Sequence, residues 1–389
     1  GWDEALGLVA EKLKGDPERI AALAGDLCDA ESMKALKDLM DSLGVKNIDC
    51  RQDGSALSAE TRSGYLFNST IAGIEDADAI LIIGSNPRLE APLINTRIRK
   101  TWLEGELDIA MIGENADLTY PYEHLGDSPS VIEGLLKSTK GFARKLKAAK
   151  RPMIIVGQGA LAREDGAQIL SLCGDLAAKY NVVSEGWNGF NVLHTAASRV
   201  GGLDMGFVPG EGGKPTNEIL DAAASGGLDT VFLLGADEID GSKLGGAFVI
   251  YQGSHGDAGA HAADIILPGA AYTEKEGLYV NTEGRVQMSC AAVQPKGEAK
   301  ADWAIIRALS GHVGRVLPYD SLTELREKLF ADHPTFAGID YAPGSENAAS
   351  FDPAALGTKG SVSDTPISNN TVDFYMTNPI ARASNVMAE

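Results

Sequence analysis

Residues 276–287, EGLYVNTEGRVQ, set Asn281 and Glu283 between Gly277 and Gly284, with Arg285 next, shortly after the strand-like run ADIILPG. A side-chain amide and a guanidinium on a turn that glycine permits are groups that can hold a charged ligand, a phosphate above all. A second set lies in IIGSNPRLEAP, residues 82–92. There a buried strand runs into Gly84, Ser85, Asn86 and Pro87, ahead of a helix bearing Arg97, Arg99 and Lys100. Free N–H groups at a helix start, a hydroxyl and an amide make a phosphate cradle, and the same residues also make a plain tight turn.

Other constellations are poorer in chemistry. GQGALAREDGA, residues 157–167, follows G-x-G-x-x-G only in part, because Ala162 stands where the third glycine is needed. His255 and His261 flank Asp257 in a glycine-rich loop, with a spacing that fits no standard zinc site. The expectation there is a loop with satisfied polar groups; His124, His194, His312 and His333 are scattered. No G-x-S-x-G elbow or carboxylate pair stands out, so no catalytic residue and no metal ligand set is expected from spacing.

The elements that position these loops alternate in the manner of doubly wound α/β units. Six β-rich runs, RIAALAG, ADAILIIG, LDIAMIG, RPMIIVG, LDTVFLLG and GAFVIYQG, each end in Gly. A helix is predicted from Asp29 as N-cap to Gly44 as left-handed stop, with Met33, Leu36, Leu39, Met40 and Leu43 as its buried stripe. A second is predicted over residues 163–180. DADAILIIGSNP at 76–87 and GLDTVFLLGADE at 227–238 echo one another, which suggests one plan used twice. The fold class expected is α/β, with two Rossmann-like lobes at 1–138 and 139–330 and an extended docking tail at 331–389. Basic residues crowd at 137–151 between the lobes, as a solvated connecting helix or a patch for an acidic partner.

Composition narrows the function classes. Against 34 basic residues stand 54 acidic ones, a formal charge of −20 that disfavours a phosphate backbone as partner. Cys28, Cys50, Cys173 and Cys290 form no C-x-x-C pair, which argues against a disulfide framework or a local iron–sulfur site and fits a reducing compartment. No apolar run approaches the roughly 20 residues of a membrane span. The opening GWDEALGLVAEKL, without Met and already helical in spacing, suggests the middle of a longer polypeptide.

Residues 76–100, 118–129, 250–287, 302–310 and 373–384 together closely resemble the large iron–sulfur subunit of respiratory complex I, the NADH:quinone oxidoreductase. The GWDEAL opening, the GSNP loop and the NTEGRVQ block resemble, more distantly, the molybdopterin oxidoreductases, in which comparable loops bind two pterin dinucleotides around molybdenum. The resemblance implies the molybdopterin-oxidoreductase fold with its cofactor lost. Gly84, Ser85, Asn86, Asn281 and Arg285 are then vestigial pterin-loop residues, and Cys50 or Ser55 is the position where a metal ligand would align. Arg88, Glu90 and Tyr279 intrude on those loops, and Glu283 and Arg285 are expected to pair within the protein. The resemblance also implies that iron–sulfur clusters belong to a half outside this segment. The partners would be that half and other subunits of the peripheral arm, with membrane association only through the complex. It places the chain on the cytoplasmic face of a bacterial inner membrane or the matrix side of the mitochondrial one. A molybdopterin-binding oxidoreductase fragment and a nucleotide-binding regulatory module are the alternatives.

Overall fold

The computed structural model describes residues 1–105, 107–342, 351–371 and 373–388. All six glycine-terminated runs are strands. In chain order the strands are β1 Ile20–Ala24, β2 Asn47–Asp49, β3 Ala79–Ile83, β4 Asp108–Ile112, β5 Glu123–Gly126, β6 Pro152–Val156 and β7 Val183–Ser184. They continue with β8 Trp187–Asn188, β9 Phe190–Val192, β10 Thr230–Leu234, β11 Phe248–Gly253, β12 Ile265–Pro268, β13 Gly277–Val280 and β14 Val286–Ser289.

Two five-stranded sheets carry the architecture, ordered β12-β11-β10-β1-β2 and β5-β4-β3-β6-β9. Every pairing within them is parallel. The echoed segments are the central strands, β10 of one sheet and β3 of the other. Counted from β3, the second sheet follows the doubly wound order with its direction change between β3 and β6. Counted from β10, the first sheet follows the same order, but its last two strands come from the start of the chain.

That arrangement corrects the expected boundary at 138/139. β6 lies beyond residue 138 yet pairs in register with β3, as Ala79 with Pro152 through Ile83 with Val156. β1 pairs with β10, from Ile20 with Thr230 to Ala24 with Leu234. The second sheet is thus an insertion within the first. Hydrophobic periodicity reveals strands but not which distant strands pair, and the basic stretch at 137–151 is a helical crossover within one sheet.

Period-two burial explains the layering. Leu81, Ile83 and Ile154 join Ala22, Ala24 and Phe232 in one large core shared by the two sheets. Ile80, Ile82 and Met153 point the other way, onto Ile94 and Ile98 of the helix Pro92–Glu104. Leu23, Val231 and Leu233 likewise meet Ile219 and Leu220 of the helix Thr216–Ala224. The helix Ala30–Leu43 ends as predicted, capped by the Asp29 carboxylate on the Ser32 amide and stopped by Gly44 at φ 78°. The second predicted helix runs Gly166–Lys179.

The helix Leu322–Asp332 crosses the expected start of the tail. Beyond it the described segments are short turns laid against the fold. Phe351 packs on Phe190, and the amides of Thr358 and Ile367 donate to the carbonyls of Ala167 (3.0 Å) and Asp127 (2.7 Å). Among the described residues no helix is long and apolar enough to cross a membrane.

Candidate functional site

Open parallel sheets bind ligands outside the carboxyl ends of their strands, where the order reverses. At both such points this chain packs backbone on backbone. A Cβ on Gly25, after β1, would lie 1.9 Å from the Gly235 carbonyl oxygen after β10; one on Gly157, after β6, would lie 2.5 Å from the Gly84 carbonyl oxygen. Gly84, at φ +64°, meets Ala160 at 2.5 Å in the same test. These glycines bring two loops of the protein together, a role the sequence also allows for ligand approach.

The polar groups of the GSNP loop are engaged within the loop. Ser85 Oγ donates to Glu90 Oε2 at 2.6 Å, and Asn86 caps the short helix Pro87–Glu90 by accepting from the Arg88 amide at 3.2 Å. The Glu90 carboxyl, pushed up to about 7 by burial, thus meets the hydroxyl a phosphate would use. Arg88 turns outward to pair with Asp117 at 2.7 Å. A cavity of about 590 Å³ borders this loop, roofed by Ser368, Asn369 and Thr371 of the tail.

EGLYVNTEGRVQ is the hairpin β13–β14, with Gly284 at φ 83° in its turn. Asn281 Oδ1 accepts from the amides of Glu283 (3.1 Å) and Arg285 (2.9 Å), which builds the turn. Glu283 and Arg285, expected to pair within the protein, pair with one another at 3.1 Å. Glu283 Oε2 also accepts from the Ile71 amide at 2.9 Å, and the Thr282 carbonyl from the Phe67 amide at 2.7 Å. The tip therefore sits on the second-sheet unit. The base sits on the first: the Leu278 amide donates to Glu31 Oε2 at 2.8 Å, and Gly277 in β13 lies so close to Asp29 that a Cβ would come within 2.7 Å. Gly277 serves this close approach rather than a turn. Tyr279 reaches the Leu27 carbonyl at 3.3 Å.

Cys50 and Ser55 lie on the loop after β2 in different settings. Cys50 is fully buried, its Sγ 2.7 Å from where a Cβ on Gly202 would stand, and burial pushes its thiol up to about 12. Ser55 lines a separate open cavity of about 750 Å³ with Asp49, Arg51 and Arg163. Both arginines are neutralised there, by Asp49 and by Asp165, each at 2.8 Å. Asp257 N-caps the turn Ala258–His261, while His255 and His261 are exposed on either side. No group of three or more His, Cys, Asp or Glu among the described residues is arranged to hold a metal ion.

Two buried charge clusters escape the sequence reading. Lys275, just before the hairpin, contacts Asp29 at 2.7 Å and Asp302 at closer range, and all three are buried. Between the sheet units lies Arg199, 1 % exposed, paired with Asp53 at 3.0 Å and donating from Nε to the Cys50 carbonyl at 3.2 Å. Burial raises neighbouring Asp26 to about 6 and lowers His194 to about 4. A lysine beside Glu276 looks like ordinary surface charge, and only its contacts with residues far along the chain identify it. The one available signal was Asp29, recognised as a cap and not as a partner.

Comparison with known proteins follows this geometry. The sequence profile of the family described as molybdopterin oxidoreductase matches residues 1–312, and a profile of the C-terminal region of an NADH-ubiquinone oxidoreductase subunit matches residues 340–389. The mitochondrial NADH-ubiquinone oxidoreductase 78 kDa subunit of Candida albicans is 43% identical over all of this chain and 54% of its own length. The corresponding NADH-quinone oxidoreductase subunit of Rickettsia bellii is also 43% identical, with 100% and 54% covered. The mitochondrial NADH dehydrogenase [ubiquinone] iron-sulfur protein 1 of Solanum tuberosum is 41% identical, with 100% and 51% covered. The chain spans about half the length of these relatives. Among solved structures, the formyltransferase/hydrolase complex from Methylorubrum extorquens aligns with a TM-score of 0.58 at 18% identity, covering 80% of this chain and 96% of that one. Acetylene hydratase from Pelobacter acetylenicus aligns at 0.51 and 13%, covering 88% and 62%. At these identities the structures share the fold alone.

Proposed function

We propose, from the premise that the chain belongs to the molybdopterin oxidoreductase family, that it is the structural, non-catalytic half of the large iron–sulfur subunit of complex I. In that role it braces a cluster-bearing half in the peripheral arm, through which electrons pass from NADH towards quinone. Its partners are that half and neighbouring peripheral-arm subunits. It meets the membrane only through the complex, on the cytoplasmic face in a bacterium or the matrix side in a mitochondrion, and it binds no nucleic acid.

The observation that carries this reading is the use made of EGLYVNTEGRVQ. Glu283 and the Leu278 amide join one sheet unit to the other, and Asn281 builds the turn that presents them. The residues present do not fit a pterin dinucleotide: the Ser85 hydroxyl already donates to Glu90, Asn281 is spent in its own turn, and Cys50 is buried with its Sγ against Gly202. A carboxyl that takes up the loop's hydroxyl withholds that donor from a phosphate, and its ionised form repels one.

Metal analysis of the purified protein, together with pterin fluorescence after oxidation, tests the proposal. The expected result is folded protein without stoichiometric molybdenum, tungsten or pterin. Stoichiometric metal with pterin would replace this reading by that of a molybdopterin-binding oxidoreductase fragment. A thermal shift with millimolar nucleotide would instead favour a regulatory nucleotide-binding module.

A further inference from the structure

The tail returns to the first sheet at residues 373–388, where apolar burial does not hold it: no side chain of Phe374–Met376 or Pro379–Arg382 is buried. A charge contact holds it instead. Arg382 Nε donates to Asp257 Oδ2 at 2.5 Å, Nη1 to Glu238 Oε2 at 3.0 Å, and Nη2 to Glu238 Oε1 at 2.7 Å, Asp257 Oδ1 at 3.1 Å and Asp237 Oδ2 at 3.2 Å. Nη1 also donates to the Met376 carbonyl at 3.2 Å, closing the segment on itself. The carboxylates are fixed beforehand: Asp237, 2 % exposed, accepts the amides of Asp257 (2.9 Å) and Gly259 (2.7 Å). Three carboxylates converging at the end of β10 repel one another unless a cation sits among them. A planar guanidinium with five N–H donors fills such a pocket as a lysine ammonium does not.

Directly beside this contact, Pro379 and Ile380 line a cavity of about 60 Å³ together with Cys28, Tyr251 and Gln252. It lies at the carboxyl ends of β10 and β11, beside the point where the strand order reverses. Cys28 is buried, with its thiol on the Leu234 carbonyl at 3.0 Å.

We propose that residues 373–388 are a clasp over this crevice, that Asp237, Glu238 and Asp257 form the receptor for the Arg382 guanidinium, and that releasing Arg382 opens the crevice to Cys28. The clasp is independent of the structural role proposed above, because it stands on contacts of the tail alone. It closes the crevice with a segment of the same chain, held by a charge contact that salt weakens.

The test follows alkylation of each cysteine by iodoacetamide, read peptide by peptide by mass spectrometry. The deciding quantity is the rate at Cys28 relative to Cys173 in the same sample; Cys173 is buried in the helix Gly166–Lys179, whose tail contacts include Pro353 and Thr358, and exposed Cys290 reports reagent activity. Arg382→Gln should raise the ratio by about tenfold or more, as expected for losing a forked, charge-assisted contact, and Arg382→Lys should give a smaller rise. Ile380→Ser, which keeps the charge contact but thins the cover, should also raise it. An unchanged ratio in Arg382→Gln and Ile380→Ser overturns the clasp, whether both thiols stay protected or both react together through general unfolding.

Discussion

Glu90 shows what one residue can decide. Its carboxyl is raised by burial from 4.5 to about 7, with only Ser85 and the Asn86 amide to stabilise the charged form. Folding therefore takes up a proton between those two values, so stability from this group is full below 4.5 and falls as the pH climbs to about 7, by on the order of 2 kcal/mol after allowance for partial exposure. His194 works in the opposite sense: lowered by burial from 6.5 to about 4, it contributes fully above 6.5 and loses its contribution as the pH falls towards 4. The difference between wild type and Glu90→Gln isolates Glu90, because Gln still accepts from Ser85 but does not ionise. Denaturant midpoints should show the variant gaining on wild type from acid to neutral pH; parallel curves would refute the assignment. Glu90 was visible in the sequence as a charge intruding on a phosphate loop, whereas its hydrogen bond to Ser85 was not.

At the scale of elements, the hairpin β13–β14 is a bridge, and Lys275 pins its base. The lysine stands between Asp29, the cap of the helix Ala30–Leu43, and Asp302, the first residue of the helix Asp302–Val313. Lys275→Met would leave two carboxylates buried without a cation, and removing one partner of a buried pair costs about 3–5 kcal/mol. Chemical denaturation at neutral pH should show that loss, narrowing in acid as the carboxylates protonate. A loss below about 1 kcal/mol, typical of exposed pairs, would mean that the base is not held this way. The strands, Asp29 cap and Gly44 stop were legible because each follows from local pattern. The bridge was not, since the turn residues Asn281, Gly284 and Arg285 suit a ligand loop and a docked hairpin equally.

For the whole molecule, the inserted topology decides which pieces can stand alone. Residues 58–198 hold all five strands of the second sheet, whereas residues 1–138 hold two strands of one sheet and three of the other. Amide exchange should protect β3, β4 and β6 in the first fragment and leave residues 1–138 unprotected throughout. The reverse outcome would contradict the pairing of β3 with β6. The isolated fragment should be less stable than the intact chain, because Leu81, Ile83 and Ile154 pack in a core shared with the first sheet.

The sequence alone determined the α/β class, six strands with their terminal glycines, the duplicated central strand and the family resemblance, since these rest on local periodicity and motif. Tertiary structure decided how the strands interleave and which polar groups remain free to bind. Glu283 meets Ile71 across 212 residues, Leu278 meets Glu31 across 247, and Arg382 meets Asp257 across 125. A hydrogen-bond donor or a charge carries no mark of its partner along the chain; burial and long-range pairing assign it. In EGLYVNTEGRVQ that assignment turns residues equipped to hold a ligand into the hairpin joining two halves of the fold.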